Sequence, residues 1–207
     1  MNSTASPNRR RSRSLTSKVL LTTAALGAAA SIAGLGTFAT FTSSTSASHT
    51  AASGTVVVAL GASGAANRLS VGATGLAPGD TMERAVDVIN NGTLDMASVT
   101  LATSATTSSL LDTDTTNGLQ TVIDKCTTSW TESGPPYTYT CGGTLTNVIT
   151  TTPVIQSALG LGALASGATT HYRVKLTFPS GAGNTLQNQS STIQYSFTGT
   201  QRTATSK

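Results

Sequence analysis

The feature that most restricts the fold of this sequence is a series of short runs in which apolar and polar residues alternate. In the clearest run, HYRVKLTF (171–178), an apolar side chain stands at every second position, while Arg173 and Lys175 stand on the opposite face. A period of two residues is the pattern of a β-strand with one buried face. We therefore expect Arg173 and Lys175 on the outer face of a strand, without an anion site, and His171 at its beginning, facing solvent.

Further β-like runs extend through the chain, and turn-forming sequences such as APGD, NNG, TNG, SGPP and PSGAGN separate them. The runs are 54–60, 67–73, 83–90, 97–103, 119–125, 137–141, 143–149 and 191–200. About nine strands with regular turns predict an all-β, antiparallel β-sandwich of one domain. The segment 151–169 fits either a strand pair or one short helix, and the Ser/Thr-rich parts leave a flexible wall-spanning stalk as the alternative.

The N-terminal segment has the organisation of an export signal. Residues 1–18 carry five basic residues and no acid, and residues 19–36 (VLLTTAALGAAASIAGLG) form an apolar run. Small residues follow, as in a secretory signal peptide. A transmembrane anchor is the alternative, since the run approaches the roughly 20 residues that span a bilayer. The arginine cluster leaves the export route open between general secretion and the twin-arginine pathway.

Two sites in this segment match a signal cleavage site, one ending at Ala39 and the other at Ala47. Ala39 directly follows the apolar run, whereas a polar stretch separates Ala47 from it. We therefore predict cleavage after Ala39, with Thr40 as the new N-terminus. The segment 40–53 would then be a flexible N-terminal arm, which carries Phe41 near its free end.

Removal of the signal peptide changes the charge of the protein. The whole chain has a net charge of +4, but residues from 40 onward contain seven basic and eight acidic residues, a net charge of −1. The basic excess belongs to the leader, so the sequence gives no support for a nucleic-acid partner. We expect contact with a membrane only during export.

The two cysteines are consistent with an exported chain. Cys126 and Cys141 form an even pair, which in a secreted protein predicts a disulfide. The bond would close a hairpin-sized loop that contains Trp130 and Tyr137. A metal site would need two further ligands.

The sequence offers no recognisable catalytic or metal-binding motif. The only histidines are His49 and His171, and no zinc-protease or nucleophile-elbow motif occurs. The acidic pair Asp112 and Asp114 lacks the glycine and the distal glutamate of a calcium loop, so we interpret it as a solvated turn. We therefore predict a protein that is not an enzyme and has no cofactor, catalytic residue or metal ligand.

Two turn sequences stand out between the runs. In GLAPGD, Pro78 fixes φ, Gly79 allows a positive φ, and Asp80 can hydrogen-bond to nearby backbone. In the second, Asn90, Asn91 and Gly92 predict a tight turn between two strands. We interpret both as turn chemistry that identifies a fold.

Several motifs in their order resemble the TasA and camelysin family of exported Gram-positive proteins, which carry a SipW-type signal peptide. These are GTFATF with AASGTVVVAL, then GLAPGDTMERAVDVINNGTLDMASVTL, then GNTLQNQSSTIQYSFTGTQ. The resemblance covers the signal, the first third of the chain and the last strand, and it points to the same cleavage after Ala39.

The resemblance implies a jelly-roll-like sandwich over 54–200, with a C-terminal tail at 201–207. It also implies assembly into extracellular fibres of a biofilm matrix or a cell-surface layer. In fibre-forming members the freed N-terminal segment docks as a strand on the next subunit, and Phe41 would be the apolar anchor here. The expected partner is thus a second copy, with other matrix or cell-wall components as additional partners. A monomeric surface protein of the same fold and a camelysin-like metalloendopeptidase are the alternatives.

Overall fold

The computed structural model describes residues 52–205, and these residues form ten β-strands. The strands are β1 (Val58–Leu60), β2 (Thr81–Asn90), β3 (Met96–Thr107), β4 (Gln120–Cys126), β5 (Trp130–Ser133), β6 (Thr138–Cys141), β7 (Leu145–Pro153), β8 (Gln156–Leu164), β9 (Thr169–Thr177) and β10 (Thr192–Gln201). One helical turn, α1 (Leu110–Thr113), precedes β4, and a short 3-10 helix (Asn184–Leu186) precedes β10.

The strands form two main sheets and a separate hairpin. The five-stranded sheet has the order β1-β2-β9-β4-β7, the three-stranded sheet has the order β10-β3-β8, and β5 pairs only with β6. Every pair of neighbours is antiparallel. The fold is therefore the all-β, antiparallel arrangement that the alternating pattern predicts.

One apolar core joins the two main sheets. It takes alternating residues of β2 and β9 from the larger sheet and of β3 and β8 from the smaller one, with a three-residue step from Met96 to Val99 and from Leu161 to Leu164. The buried members include Val86, Val88, Val99, Leu101, Leu159, Leu161, Tyr172, Val174 and Leu176. The alternation is thus explained by burial between two facing sheets, as in other β-sandwiches.

Most of the predicted runs are strands. The runs 83–90, 97–103, 119–125, 137–141, 143–149, 171–178 and 191–200 overlap β2, β3, β4, β6, β7, β9 and β10. The first run, 54–60, is a strand only from Val58. The segment 151–169, for which the sequence allowed either a strand pair or a short helix, contains the end of β7, all of β8 and the first residue of β9. It is therefore strand and not helix.

The prediction of a strand at 67–73 is wrong. Asn67 makes only isolated bridges with Gly64 and Val86, and no ladder follows. The backbone carbonyls of Val71 and Gly72 instead accept hydrogen bonds from the guanidinium of Arg84. A buried arginine thus takes acceptors that a neighbouring strand would otherwise use. The short strand β5 and the turn α1 were not predicted.

The prediction of a tight turn at Asn90–Gly92 is also wrong in its topology. β2 and β3 belong to different sheets, so the segment between them is a crossover and not a hairpin loop. Asn90 is fully buried; its amide donates to the carbonyls of Leu94 (2.9 Å) and Leu164 (3.1 Å) and accepts from the Gly92 N–H. This side chain therefore holds the corner between the sheets.

Helices long and apolar enough to cross a membrane do not occur between residues 52 and 205. The export signal predicted at 1–39 lies outside the described residues.

Candidate functional site

The free edges of the two sheets differ in how well they are protected against pairing with another strand. β1 is only three residues long. β7 departs from regular register with β4 at two places, and β8 departs from regular register with β3 at three places and contains Gly162 at φ 100°. Short length and bulges are the usual means by which proteins prevent edge-to-edge association. Three of the four edges are therefore protected.

β10 lacks these protections. Its residues 193–200 pair in uniform register with β3, and irregularities occur only at the two ends. The strand, TIQYSFTGTQ, contains no charged residue and no proline. Within residues 52–205, β10 pairs with no strand besides β3, so its second edge offers unpaired backbone groups over about 30 Å, at roughly 3.3 Å per residue.

A large cleft opens beside the N-terminal end of β10. It has a volume of about 920 Å³ and lies between two loops, 69–78 and 182–192. Its floor consists of core side chains, among them Leu119, Leu176 and Phe178. A smaller hollow of about 280 Å³ shares Tyr195 and neighbouring residues with it. The hydrophobic core is therefore open to the surface along the inner face of β10.

The side chains on the inner face of β10, among them Tyr195, are only partly covered by protein. The Tyr195 side chain keeps part of its surface accessible, yet protein atoms surround the phenol, and the resulting desolvation raises its pKa to about 12. The inner-face neighbours Ile193 and Phe197 are likewise only partly buried. An apolar strip with incomplete cover is typical of a surface that binds another chain.

The outer face of the five-stranded sheet carries a cluster of charged side chains around Arg173. Arg173 donates to Asp124 (2.6 Å) and to Glu83 (3.2 Å), and its guanidinium stacks over Trp130 at 4.8 Å from the ring centroid. The hairpin β5–β6 supplies Trp130 and covers this face. Arg173 does lie on the outer face, as predicted, but the hairpin covers it and two carboxylates neutralise it.

A second ion pair ties the hairpin to the loop before β2. Arg68 donates to both carboxylate oxygens of Glu132, at 2.9 and 2.7 Å, and the Tyr139 hydroxyl donates to the same carboxylate at 2.8 Å. The hydrogen bond from Arg68 holds the pKa of Glu132 below its ordinary value. Desolvation, together with the bond to Glu132, raises the pKa of Tyr139 to about 12.

The predicted disulfide is confirmed. Cys126 at the end of β4 is bonded to Cys141 at the end of β6, and Trp130 pairs with Cys141 across the hairpin. Trp130 also donates from Nε1 to the carbonyl of His171 (3.2 Å). The disulfide therefore fastens the hairpin β5–β6 to the end of β4, beside the charged face that the hairpin covers.

The turn around Pro78 has the predicted chemistry. Gly79 has a φ of 99°, the Asp80 N–H donates to the Ala77 carbonyl (2.9 Å), and the Ala77 N–H donates to the Asp80 carboxylate (2.8 Å). The turn borders the cleft through Pro78.

The interpretation of Asp112 as part of a solvated turn is wrong. Asp112 is buried, and its carboxylate accepts hydrogen bonds from the Ser109 N–H, the Ser108 hydroxyl and the Ser191 hydroxyl. Burial alone would raise its pKa, but these hydrogen bonds together lower it. Asp114 does cap a turn, since Asn117 and Thr116 donate backbone N–H groups to it and lower its pKa. Asp112 thereby links α1 to the segment that leads into β10.

Of the other predicted site residues, His171 is half-buried, and its Nδ1 lies 2.6 Å from Oδ1 of Asp87. The prediction that His171 faces solvent is wrong. Its ring is paired with Asp87 on the outer face of the five-stranded sheet, beside the hairpin β5–β6, and is only partly accessible. Ala39, Thr40 and Phe41 lie outside the described residues, as does His49.

The described residues do not fit a zinc site. A catalytic zinc needs three protein ligands from histidine, cysteine or carboxylate side chains. Between residues 52 and 205, no group of three such side chains could hold a metal ion. His171 and Asp87 supply two, and the next carboxylates, Glu83 and Asp124, are paired with Arg173, whose positive charge opposes a metal ion.

Comparison with known proteins identifies one family. The family model described as camelysin metallo-endopeptidase matches residues 14–206 of this chain. No curated protein matches the sequence. A solved structure titled "AvmM Catalyzes Macrocyclization in Alchivemycin A Biosynthesis" aligns with 73% of this chain and 91% of its own, at 13% identity and a TM-score of 0.30. A likeness at this level carries no functional argument.

Proposed function

The chain belongs to the camelysin metallo-endopeptidase family, and on that premise we propose that it is a secreted structural protein that assembles by β-strand addition into extracellular fibres. The signal peptide at 1–39 is removed, and the freed arm, residues 40–53, is the strand that one subunit gives to the next. The fibres belong to a biofilm matrix or a cell-surface layer.

The observation that carries this proposal is the unprotected edge of β10. Backbone groups of an added strand would satisfy the free N–H and C=O groups of that edge, and its alternate side chains would cover the apolar strip of Ile193, Tyr195 and Phe197. The edge carries no charge that would have to be desolvated on pairing.

The arm is suited to this role by composition. The segment from Thr40 to Ser53 is rich in threonine and serine, contains no proline, and has no acidic or basic residue apart from His49. It offers too little apolar surface to fold alone, so it becomes ordered only against a folded domain. Phe41 is its only large apolar side chain and thus its anchor.

Deletion of the arm tests this function. Protein beginning at Thr40 should form filaments visible by electron microscopy, whereas protein beginning at Gly54 should remain monomeric with an unchanged circular dichroism spectrum. Phe41→Asp should also weaken assembly, because a carboxylate would have to be desolvated in an apolar groove. Ser44→Asp, which lies on the opposite face of an extended arm from Phe41, is the control for added charge alone. Equal polymerisation of the truncated protein would exclude strand donation and leave a monomeric or otherwise assembled surface protein.

A peptidase is the second candidate, since the description of the family names that activity. Casein hydrolysis by the secreted protein, measured with and without a chelator, separates the two functions. We expect no hydrolysis that the chelator abolishes.

A further inference from the structure

The start of the described chain lies beside the C-terminal end of β10. Thr55 donates to the hydroxyl of Thr93 and accepts from the Thr93 N–H, while Arg202, just after β10, donates its N–H to the carbonyl of Asp95. Gly54 packs against Leu94. Residues near both ends of the described part of the chain are thus held by the same short segment, 93–95.

The cleft lies at the opposite end of the same strand. Ser190, Ser191 and Thr192 line it, and they immediately precede or begin β10. A chain that leaves Gly54 and follows the free edge of β10 towards this cleft therefore runs parallel to β10, with its N-terminus at the cleft.

The arm has the length that this path requires. The 13 steps from Gly54 back to Phe41 span about 43 Å in extended conformation, and β10 spans about 30 Å. Phe41 would therefore extend about 10 Å beyond Thr192, which places it over the cleft. The cleft floor of Leu119, Leu176 and Phe178 offers an apolar surface for its ring.

We propose that, in the monomer, the arm docks on its own subunit, paired in parallel with the free edge of β10 and with Phe41 in the cleft. This inference rests on the proposed function, because it requires the arm to begin at Thr40. It adds to that function a monomeric state in which assembly is blocked. The self-docked arm covers the edge on which a neighbouring arm would bind, so assembly requires exchange. Parallel pairs are slightly less stable per residue than antiparallel ones, and a neighbour's arm is free to bind antiparallel. Exchange into a polymer is thereby favoured.

Hydrogen exchange of the β10 amides in the monomer tests this state. The experiment compares protein beginning at Thr40 with protein beginning at Gly54, at concentrations where sedimentation shows only monomers. Amides of β10 that face the free edge should exchange about tenfold or more slowly when the arm is present. Amides that face β3 are bonded in both proteins and are the internal control. Phe41→Asp in the full-length arm should remove the protection without any truncation.

The outcomes distinguish this inference from the proposed function. Equal exchange in the two monomeric proteins overturns self-docking, even if filaments form at higher concentration. Protection that appears only together with filaments overturns it as well and leaves strand donation intact. Protection in the monomer without filaments at any concentration supports self-docking and excludes the fibre.

Discussion

At the scale of single residues, the charged side chains under the hairpin form a largely buried ion-pair cluster. Arg173 neutralises two carboxylates whose side chains are only 9% and 17% exposed. Removal of one partner of such a group leaves uncompensated buried charge.

Arg173→Ala should therefore lower the free energy of unfolding by about 3–5 kcal/mol, as measured by urea denaturation. Lys175→Ala is the matched control, because Lys175 lies on the same face of β9 and makes no ion pair with the residues that the structure describes. A change below about 0.5 kcal/mol is expected there. Equal effects of the two substitutions would contradict the role given to Arg173.

Glu132 gives the protein a pH dependence with a definite sign. Its pKa is lower in the folded state than its ordinary value of 4.5, so its ion pair with Arg68 stabilises the protein above that pH. As the pH falls below about 4.5, the unfolded state takes up the proton first and this stability is lost. Glu132→Gln should show a smaller loss of unfolding free energy between pH 5 and pH 3, measured by denaturation at each pH. An unchanged slope would exclude the contribution of this carboxylate.

At the scale of elements, local pattern predicts strands well and their arrangement poorly. The period of two over 171–178 correctly assigns the buried face of β9, because that signal depends on the strand alone. Which strands are neighbours depends on contacts distant in sequence, and so the free edge of β10 and the cleft could not be derived. Asn90 and Asp112 were misassigned for the same reason, since their hydrogen-bond partners include Leu164 and Ser191, distant in sequence.

The disulfide Cys126–Cys141 closes the loop that contains the hairpin β5–β6. The entropy model assigns about 3 kcal/mol to the closure of a loop of 15 residues, the separation of Cys126 and Cys141. Cys126→Ser should therefore lower stability by a few kcal/mol without changing filament formation, provided that the protein stays folded. Intact mass of the secreted protein should be two hydrogens below that of the reduced form. Free thiols at both positions under non-reducing conditions would contradict this pairing.

At the scale of the whole molecule, the proposed assembly depends on which bond would be cut during export. A cut after Ala39 leaves an arm that can follow the whole of β10 and still carries Phe41. A cut after Ala47 leaves six residues before Gly54, which span only about 20 Å and contain no large apolar side chain. Such an arm could pair with part of the edge but could not reach the cleft.

We therefore expect N-terminal sequencing of the secreted protein to begin at Thr40, and protein engineered to begin at Ser48 to remain monomeric under conditions in which the Thr40 form makes filaments. Partial pairing without an anchor leaves the entropy of ordering the arm largely uncompensated. The matched control begins at Thr40 and carries Phe41→Leu, which keeps both length and an apolar anchor, so it should assemble. If the natural secreted form begins at Ser48 and still makes filaments, then neither Phe41 nor the full arm is needed, and the connection between subunits lies elsewhere.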